Sequence, residues 1–396
     1  MIDVLFKRED GCVGISGDTI VHIGAEIPAK RVIDLKGKIL IPGLINTHTH
    51  IPMTIMRGRA DDLDLQDWLF NHIFPIEERL EREDVYWGSQ LALCEMIRGG
   101  TTCFSDMYFF EDAVAQAAAE AGIRANVSWC FSGEDFDASR QVELIEAYKG
   151  HELVTVEASL HSVYTSSRGY MEKVAEFAAE RNLNMHVHVS ETQRENEECI
   201  AKYGVTPAML LKKLGYFKTC TNIAHGVYLT NEDVEFLRTV NASISHNPTS
   251  NLKLASGIMP IYEGINISLG TDGAASNNRL DMLGETRLCA LLHKGIMKNP
   301  SAVPARDALY MATAGGAKTI GREQDLGKIE VGYKADLVVI DCDAPHMTPI
   351  FNQTSAVVYA AEASDVDSVM VNGKFLMEKR EFTTLDWEKI KFKAGR

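Results

Sequence analysis

Two histidines one residue apart, His48 and His50, close the run Leu40-Ile41-Pro42-Gly43-Leu44-Ile45-Asn46-Thr47-His48-Thr49-His50. Side chains alternate faces along a strand, so residues i and i+2 point the same way and both imidazoles reach one metal ion. Three more polar clusters each follow an apolar, strand-like stretch: His186-Val187-His188-Val189-Ser190-Glu191, Ala224-His225-Gly226 and Leu269-Gly270-Thr271-Asp272-Gly273. Each offers a group suited to metal ligation or acid–base work. His186 and His188 lie on one strand face and compete for the same role. Any one cluster also fits a structural role; four at strand ends of one domain point to a shared site.

Such clusters need a scaffold that gathers strand ends. Apolar periodicity predicts helices over 83–98, 171–181 and 232–240, and strands over 101–104, 183–189, 242–245 and 265–269. Repeated β-then-α units between about 44 and 325 predict an α/β fold, a (β/α)8 TIM-like barrel with active residues at the C-terminal strand ends. A doubly wound sheet is the runner-up, but no GxGxxG turn supports dinucleotide binding. The chain's ends read differently. Short strands are predicted at 12–16, 19–24 and 31–35, and again at 335–341 and 366–371, with Asn372-Gly373 as a hairpin turn. Residues 1–43 and 326–396 are therefore expected to form one small β-sandwich domain beside a catalytic barrel of residues 44–325.

The composition, 396 residues at 45% hydrophobic and 24% charged, suits one large domain plus a smaller one. No apolar run approaches the roughly 20 residues needed to cross a bilayer. Residues 1–11 lack the basic-then-apolar layout of a secretion signal, so the cytoplasm is the expected location. Eight cysteines without a CxxC pair predict buried free thiols, among them Cys94, Cys103 and Cys289. A net charge of −15 without any basic cluster argues against a nucleic-acid partner. No GxxxxGK[ST] run is present to cradle phosphates.

The motifs PGLINTHTH (42–50), HVHVSET (186–192), AHG (224–226), SHNPTSNLKL (245–254) and LGTDGAASNN (269–278), with GKIEVGYKADLVVID (327–341), resemble the deaminase branch of the amidohydrolase superfamily. The likeness spans essentially the whole chain. It is strongest to deaminases of adenosine-type nucleosides, which act on 5′-methylthioadenosine, S-adenosylhomocysteine and 5′-deoxyadenosine.

The resemblance implies His48, His50, His188 and Asp272 as metal ligands. His188 is preferred over His186 because the family places its catalytic glutamate three residues after the ligand, which is Glu191 here. Three neutral imidazoles and a carboxylate suit one Zn²⁺ per subunit, with Fe²⁺ as the alternative. Such an ion lowers the pKa of bound water toward neutrality, for attack on the purine C6. Amidohydrolases with two metals carry a bridging lysine at the end of the fourth strand. The stretch Val156-Glu157-Ala158-Ser159-Leu160-His161-Ser162 has none, which favours a single ion.

Glu191 is then expected to deliver a proton to N1, Asp272 to accept one from water, and His225 to orient the attacking oxygen. The resemblance also gives Glu77 as acceptor of the ribose hydroxyls and His161 and Ser276 as substrate contacts. His188 borders the substrate, and Trp68 is a candidate wall for the purine. Arg140 is a candidate for an amino-acid tail, from its own or a neighbouring subunit; no second arginine stands near Leu153. His246 is assigned no role. The expected reaction is deamination of an adenosine-type nucleoside to its inosine analogue plus ammonia, with nucleoside and water as partners, in a homo-oligomer. The alternative is a guanine, oxopurine or triazine deaminase-hydrolase of the same superfamily.

Overall fold

In the computed structural model, which describes residues 2–395, eight parallel strands form a nearly closed barrel. They are β1 (Leu44–Thr49), β2 (Thr101–Tyr108), β3 (Arg124–Phe131), β4 (Val154–Val156 with Ala158–Leu160), β5 (Met185–Val189), β6 (Thr221–His225), β7 (Ala242–His246) and β8 (Asn266–Leu269). Each pairs with the next from β1 to β8. Side chain and loop bridge the remaining gap. Thr47 Oγ1 donates to Leu269 O at 2.9 Å, and Asp272 N donates to His48 O at 2.9 Å. The last bond locks two of the site clusters to each other. Strands and helices match the sequence expectation closely, with ends moved by capping. The helix Arg168–Arg181 starts before 171 because Ser167 Oγ accepts from Tyr170 N.

Both termini build two further sheets. Ile2–Arg8, Gly11–Ser16, Thr19–Gly24 and Ala29–Asp34 make a four-stranded sheet. Lys38–Pro42 leaves it and pairs antiparallel with Leu337–Asp341 in a five-stranded sheet. Phe6, Val13, Ile15, Ile20, Leu40, Leu337, Val339 and Met370 share one buried cluster. Asn372 and Gly373 both take positive φ, +52° and +74°, as a tight hairpin turn between right-twisted strands requires. A buried ion pair, Arg124 Nε to Asp336 Oδ2 at 2.6 Å, ties β3 to the C-terminal segment.

All eight cysteines are free, and seven are buried. Among the described residues no helix is long and apolar enough to cross a membrane.

Gly270 marks where β8 must approach β1. A Cβ there would stand 2.7 Å from His48 O and 2.4 Å from Asn247 Oδ1. Gly270→Ala is expected to destabilise the protein by about 1–3 kcal/mol, the usual range for overpacking. Urea unfolding of the two proteins checks it.

Candidate active site

Every strand that bears a predicted cluster delivers it to the same barrel mouth. His48, His50 and Asp272 present ligand atoms within 4.8 Å of one another, as do His48, His188 and His225. His50 Nε2 lies 3.3 Å from His188 Nε2 and 3.3 Å from Asp272 Oδ1, and His48 Nε2 lies 3.5 Å from the same oxygen. Burial lowers the pKa of His50, and those of His48 and His188 more strongly, so all three rings are neutral at pH 7 and free to donate lone pairs.

Hydrogen bonds select the tautomer of each ring. His50 Nδ1 donates to Met107 O at 2.7 Å and His188 Nδ1 to His161 O at 2.7 Å, so both Nε2 atoms carry lone pairs. His48 Nδ1 meets His186 Nε2 at 2.9 Å, and His186 Nδ1 faces Glu157 Oε1 at 3.3 Å. Glu157 is itself held by Ser105 Oγ at 2.6 Å. His186 therefore stands behind His48 and connects it to a buried carboxylate. The Nε2 of His48 is buried with no hydrogen-bond partner, as suits a nitrogen that binds a cation. The donor set thus fits a divalent metal.

His225 is wired the other way. The amides of Asn251 and Asn247 lie 2.9 and 3.4 Å from its Nδ1 and donate to it, so the proton sits on Nε2. That Nε2 is buried and unpartnered, a donor aimed at the cluster rather than a ligand. Burial raises the Asp272 carboxyl, but its contact with His48 and the nearness of His50 and His225 outweigh burial and hold its pKa well below the usual carboxylate range. Glu191 moves the opposite way. Burial first, then the charges of Asp272 and Glu195, push it well above the usual range, so it carries a proton at neutral pH. Two neighbouring acids are thus set to opposite protonation states, the pattern of an acid–base pair. Ser190, His225 and Asp272 have positive φ of 53°, 71° and 60°. Each such non-glycine residue costs about 1–3 kcal/mol and persists where its surroundings dictate it, commonly at functional sites.

Beside the cluster opens a cavity lined by Met53, Leu65, Trp68, Leu69, Phe74, Glu77, Tyr108, Phe109, His161, Tyr164 and Leu254, together with His50, His188, Glu191, His225 and Asp272. Glu77 is buried there and accepts from Tyr108 Oη at 2.5 Å; burial pushes its pKa up to about 7. Burial pushes His161 down to about 3; its Nδ1 meets Ser162 Oγ at 3.1 Å and Thr165 Oγ1 at 3.0 Å. Trp68 lies on a π-helical turn, Trp68–Ile73, with its Nε1 buried and unpartnered.

Two predicted residues stand elsewhere. Ser276 is buried behind Asp272, bonded to Ser250 Oγ at 3.0 Å, and Ser250 donates to Asp272 Oδ2 at 2.6 Å; Ser276 does not line the cavity. Arg140 is exposed, with 69% of its side chain accessible, and pairs with Glu143. Within one chain it is not brought to the cavity.

Sequence reasoning missed Tyr108, Glu157, Glu195, Asn247, Ser250 and Asn251. Glu195 accepts from the backbone N–H groups of Ser190 and Glu191 at 3.0 and 2.8 Å and fixes the turn that aims Glu191. The SHNPTSN run carried a signal in its density of small polar residues. Tyr108 carried none, since its role comes from strand β2 lying beside Glu77.

Residues 39–376 match the Amidohydrolase family, and the chain belongs to that family. It is 48% identical over 373 residues to a 5-methylthioadenosine/S-adenosylhomocysteine deaminase of Dictyoglomus thermophilum, covering 92% of this chain and 87% of that one. It is 42% identical over 405 residues to a 5′-deoxyadenosine deaminase of Methanobrevibacter smithii, covering 98% and 93%. The crystal structure of an adenosine deaminase from Xanthomonas campestris with bound zinc superimposes with a TM-score of 0.95 at 34% identity, covering 100% of this chain and 97% of that one.

The Glu157–His186–His48 chain makes a prediction. His186→Phe leaves His48 without its orienting partner, and metal affinity is expected to fall about 10–100-fold. Competition with a chromophoric chelator measures it.

Proposed function

We propose that the protein is a metal-dependent hydrolytic deaminase that converts adenosine-type nucleosides to the inosine analogue and ammonia. The substrates are 5′-methylthioadenosine, 5′-deoxyadenosine, S-adenosylhomocysteine and adenosine. The observation that carries this reading is Glu77, a buried carboxylate in the same cavity as the histidine–aspartate cluster. A carboxylate accepts two neighbouring hydroxyl protons at once, which is how a ribose presents itself. The similarity to relatives named as nucleoside deaminases supports the same conclusion.

His48, His50, His188 and Asp272 would hold one divalent ion, Zn²⁺ or alternatively Fe²⁺. When bound there, such an ion supplies Lewis acidity that brings the pKa of water toward neutrality. The chain's own groups do the rest. Glu191, protonated in the resting site, gives its proton to N1 as water adds at C6, so negative charge does not build on the ring. Asp272, held ionised, takes a proton from the water and passes it toward the departing amine. The His225 Nε2–H orients the attacking oxygen. Neutral His161 stands on the cavity wall to bond the purine, with Trp68 and Phe74 as its apolar sides. As ammonia leaves, the hydroxyl proton at C6 returns to the Glu191 carboxylate, which gives the oxo product and restores the resting acid.

Among the described residues no lysine or arginine lines the cavity of the single chain, which favours short, apolar 5′ substituents over a charged tail. A neighbouring subunit could still bring Arg140 to it. A homo-oligomer is supported by exposed Leu291, Ile296, Met297 and Tyr310 on two helices that pack together. Eight free thiols suit the reducing cytoplasm. We also divide the chain into 44–325 and the paired ends 1–43 and 326–396, because one buried cluster draws only on the paired ends. A guanine or triazine hydrolase would have no use for Glu77.

Glu77→Gln is expected to raise KM for nucleosides about 10–100-fold, the worth of hydrogen bonds to a charged acceptor, with little change in kcat. Because Glu77 ionises near pH 7, kcat/KM for nucleosides should fall as the pH drops below about 7 in the wild type. That limb should disappear in Glu77→Gln. An unchanged KM and pH profile would remove the ribose role. Glu191→Gln should lower kcat about 10²–10⁴-fold, as loss of a general acid does. Steady-state absorbance at the adenosine-to-inosine transition reads both.

A further inference from the structure

His246 takes no part in the chemistry above. Its neighbour Ser245 reaches across the barrel to Thr47 Oγ1 at 2.6 Å, so Ser245 faces inward and His246 outward. There His246 meets the helix Met282–Met297, on which Cys289 and His293 are four residues apart and share one face. The three side chains place their ligand atoms within 4.8 Å of one another. His246 Nε2 and His293 Nε2 face each other at 3.2 Å. Met311 Sδ stands 3.9 Å from Cys289 Sγ. His246 and Cys289 are fully buried, and His293 is 2% exposed.

A hydrogen bond between two core histidines is a poor explanation of this arrangement. Burial of His246 disfavours its charged form, and the fold pairs only one of its nitrogens: Nδ1 is buried without a partner. Nor does the site serve the catalytic cluster, which draws on neither Cys289 nor His293. Two imidazoles, a thiol and a thioether in one buried cluster are the donor set of a soft cation.

We propose that His246, Cys289 and His293, with Met311 as a weaker fourth donor, form a second metal site that takes a soft monovalent cation, Cu⁺. Softness selects the ion: thiolate and thioether donors favour Cu⁺, and the Cys289 thiolate cancels its single charge. Binding forms one Cu–S and two Cu–N bonds, and the Cys289 thiol proton leaves to solvent; no electron is transferred.

The test uses zinc-loaded protein, so that the catalytic histidines are already engaged, and Cu⁺ presented without oxygen as its coloured bathocuproine disulfonate complex. The protein should withdraw one copper per chain, read as loss of colour. The copper absorption edge should then show nitrogen and sulfur ligands together. Cys289→Ser and His293→Gln should each lose this uptake while deaminase activity is retained, and Cys94→Ser should keep it. No withdrawal of copper by the wild type overturns the proposal. So does a sulfur-only spectrum, which would place copper on other cysteines, or full uptake by Cys289→Ser. Where a variant fails to fold, the wild-type spectrum decides alone.

Discussion

Burial of ionisable groups without matching counter-charge is the constraint on which the barrel mouth depends. Three imidazoles, Asp272, Glu191 and Glu77 share a space nearly closed to water, where each charge must be compensated or given up. The histidines give up theirs and become neutral ligands. Asp272 keeps its charge because its oxygens accept from Ser250 Oγ and Gly273 N and face the nitrogens of His48 and His50. Glu191 loses its charge to burial first, and to the nearness of Asp272 and Glu195 second. The same low-dielectric setting therefore produces a base, an acid and a ligand set.

The scaffold holds this balance through hydrogen bonds at one remove. Met107 O and His161 O point two imidazoles, while the Glu157–His186 chain points a third. Asn251 and Asn247 reverse the tautomer of His225, and that reversal separates a hydrogen-bond donor from the ligands beside it. Positive φ at Ser190, His225 and Asp272 shows where the backbone bends to aim these groups. The nearly closed barrel makes the bends affordable, since the bond from Asp272 N to His48 O fixes both ends of the site.

Much of this was legible in the sequence because strand periodicity and barrel geometry act locally. His48, His50, His188, His225 and Asp272 each lie at or just past the end of a strand, and parallel strands of one barrel must bring their ends together. The β-rich termini were legible from period-two patterning and the Asn372-Gly373 turn. What was not legible came from contacts between distant segments. Nothing near His186 announces that it reaches across to His48, and Tyr108 gains meaning only beside Glu77. The break of β4 at Glu157 belongs here too: that buried carboxylate lies between Ser105 and His186, partners 52 and 29 residues away. Arg140 was read from its place between two strands, and exposure keeps it off the single chain's cavity.

Ammonia release from zinc-loaded protein, with 5′-methylthioadenosine or 5′-deoxyadenosine beside free adenine and guanine, tests the central claim most directly. A cavity that couples Glu77 to the histidine–aspartate cluster predicts turnover of the nucleosides and none of the free bases. Turnover of a free base alone, or of no compound at all, would contradict it.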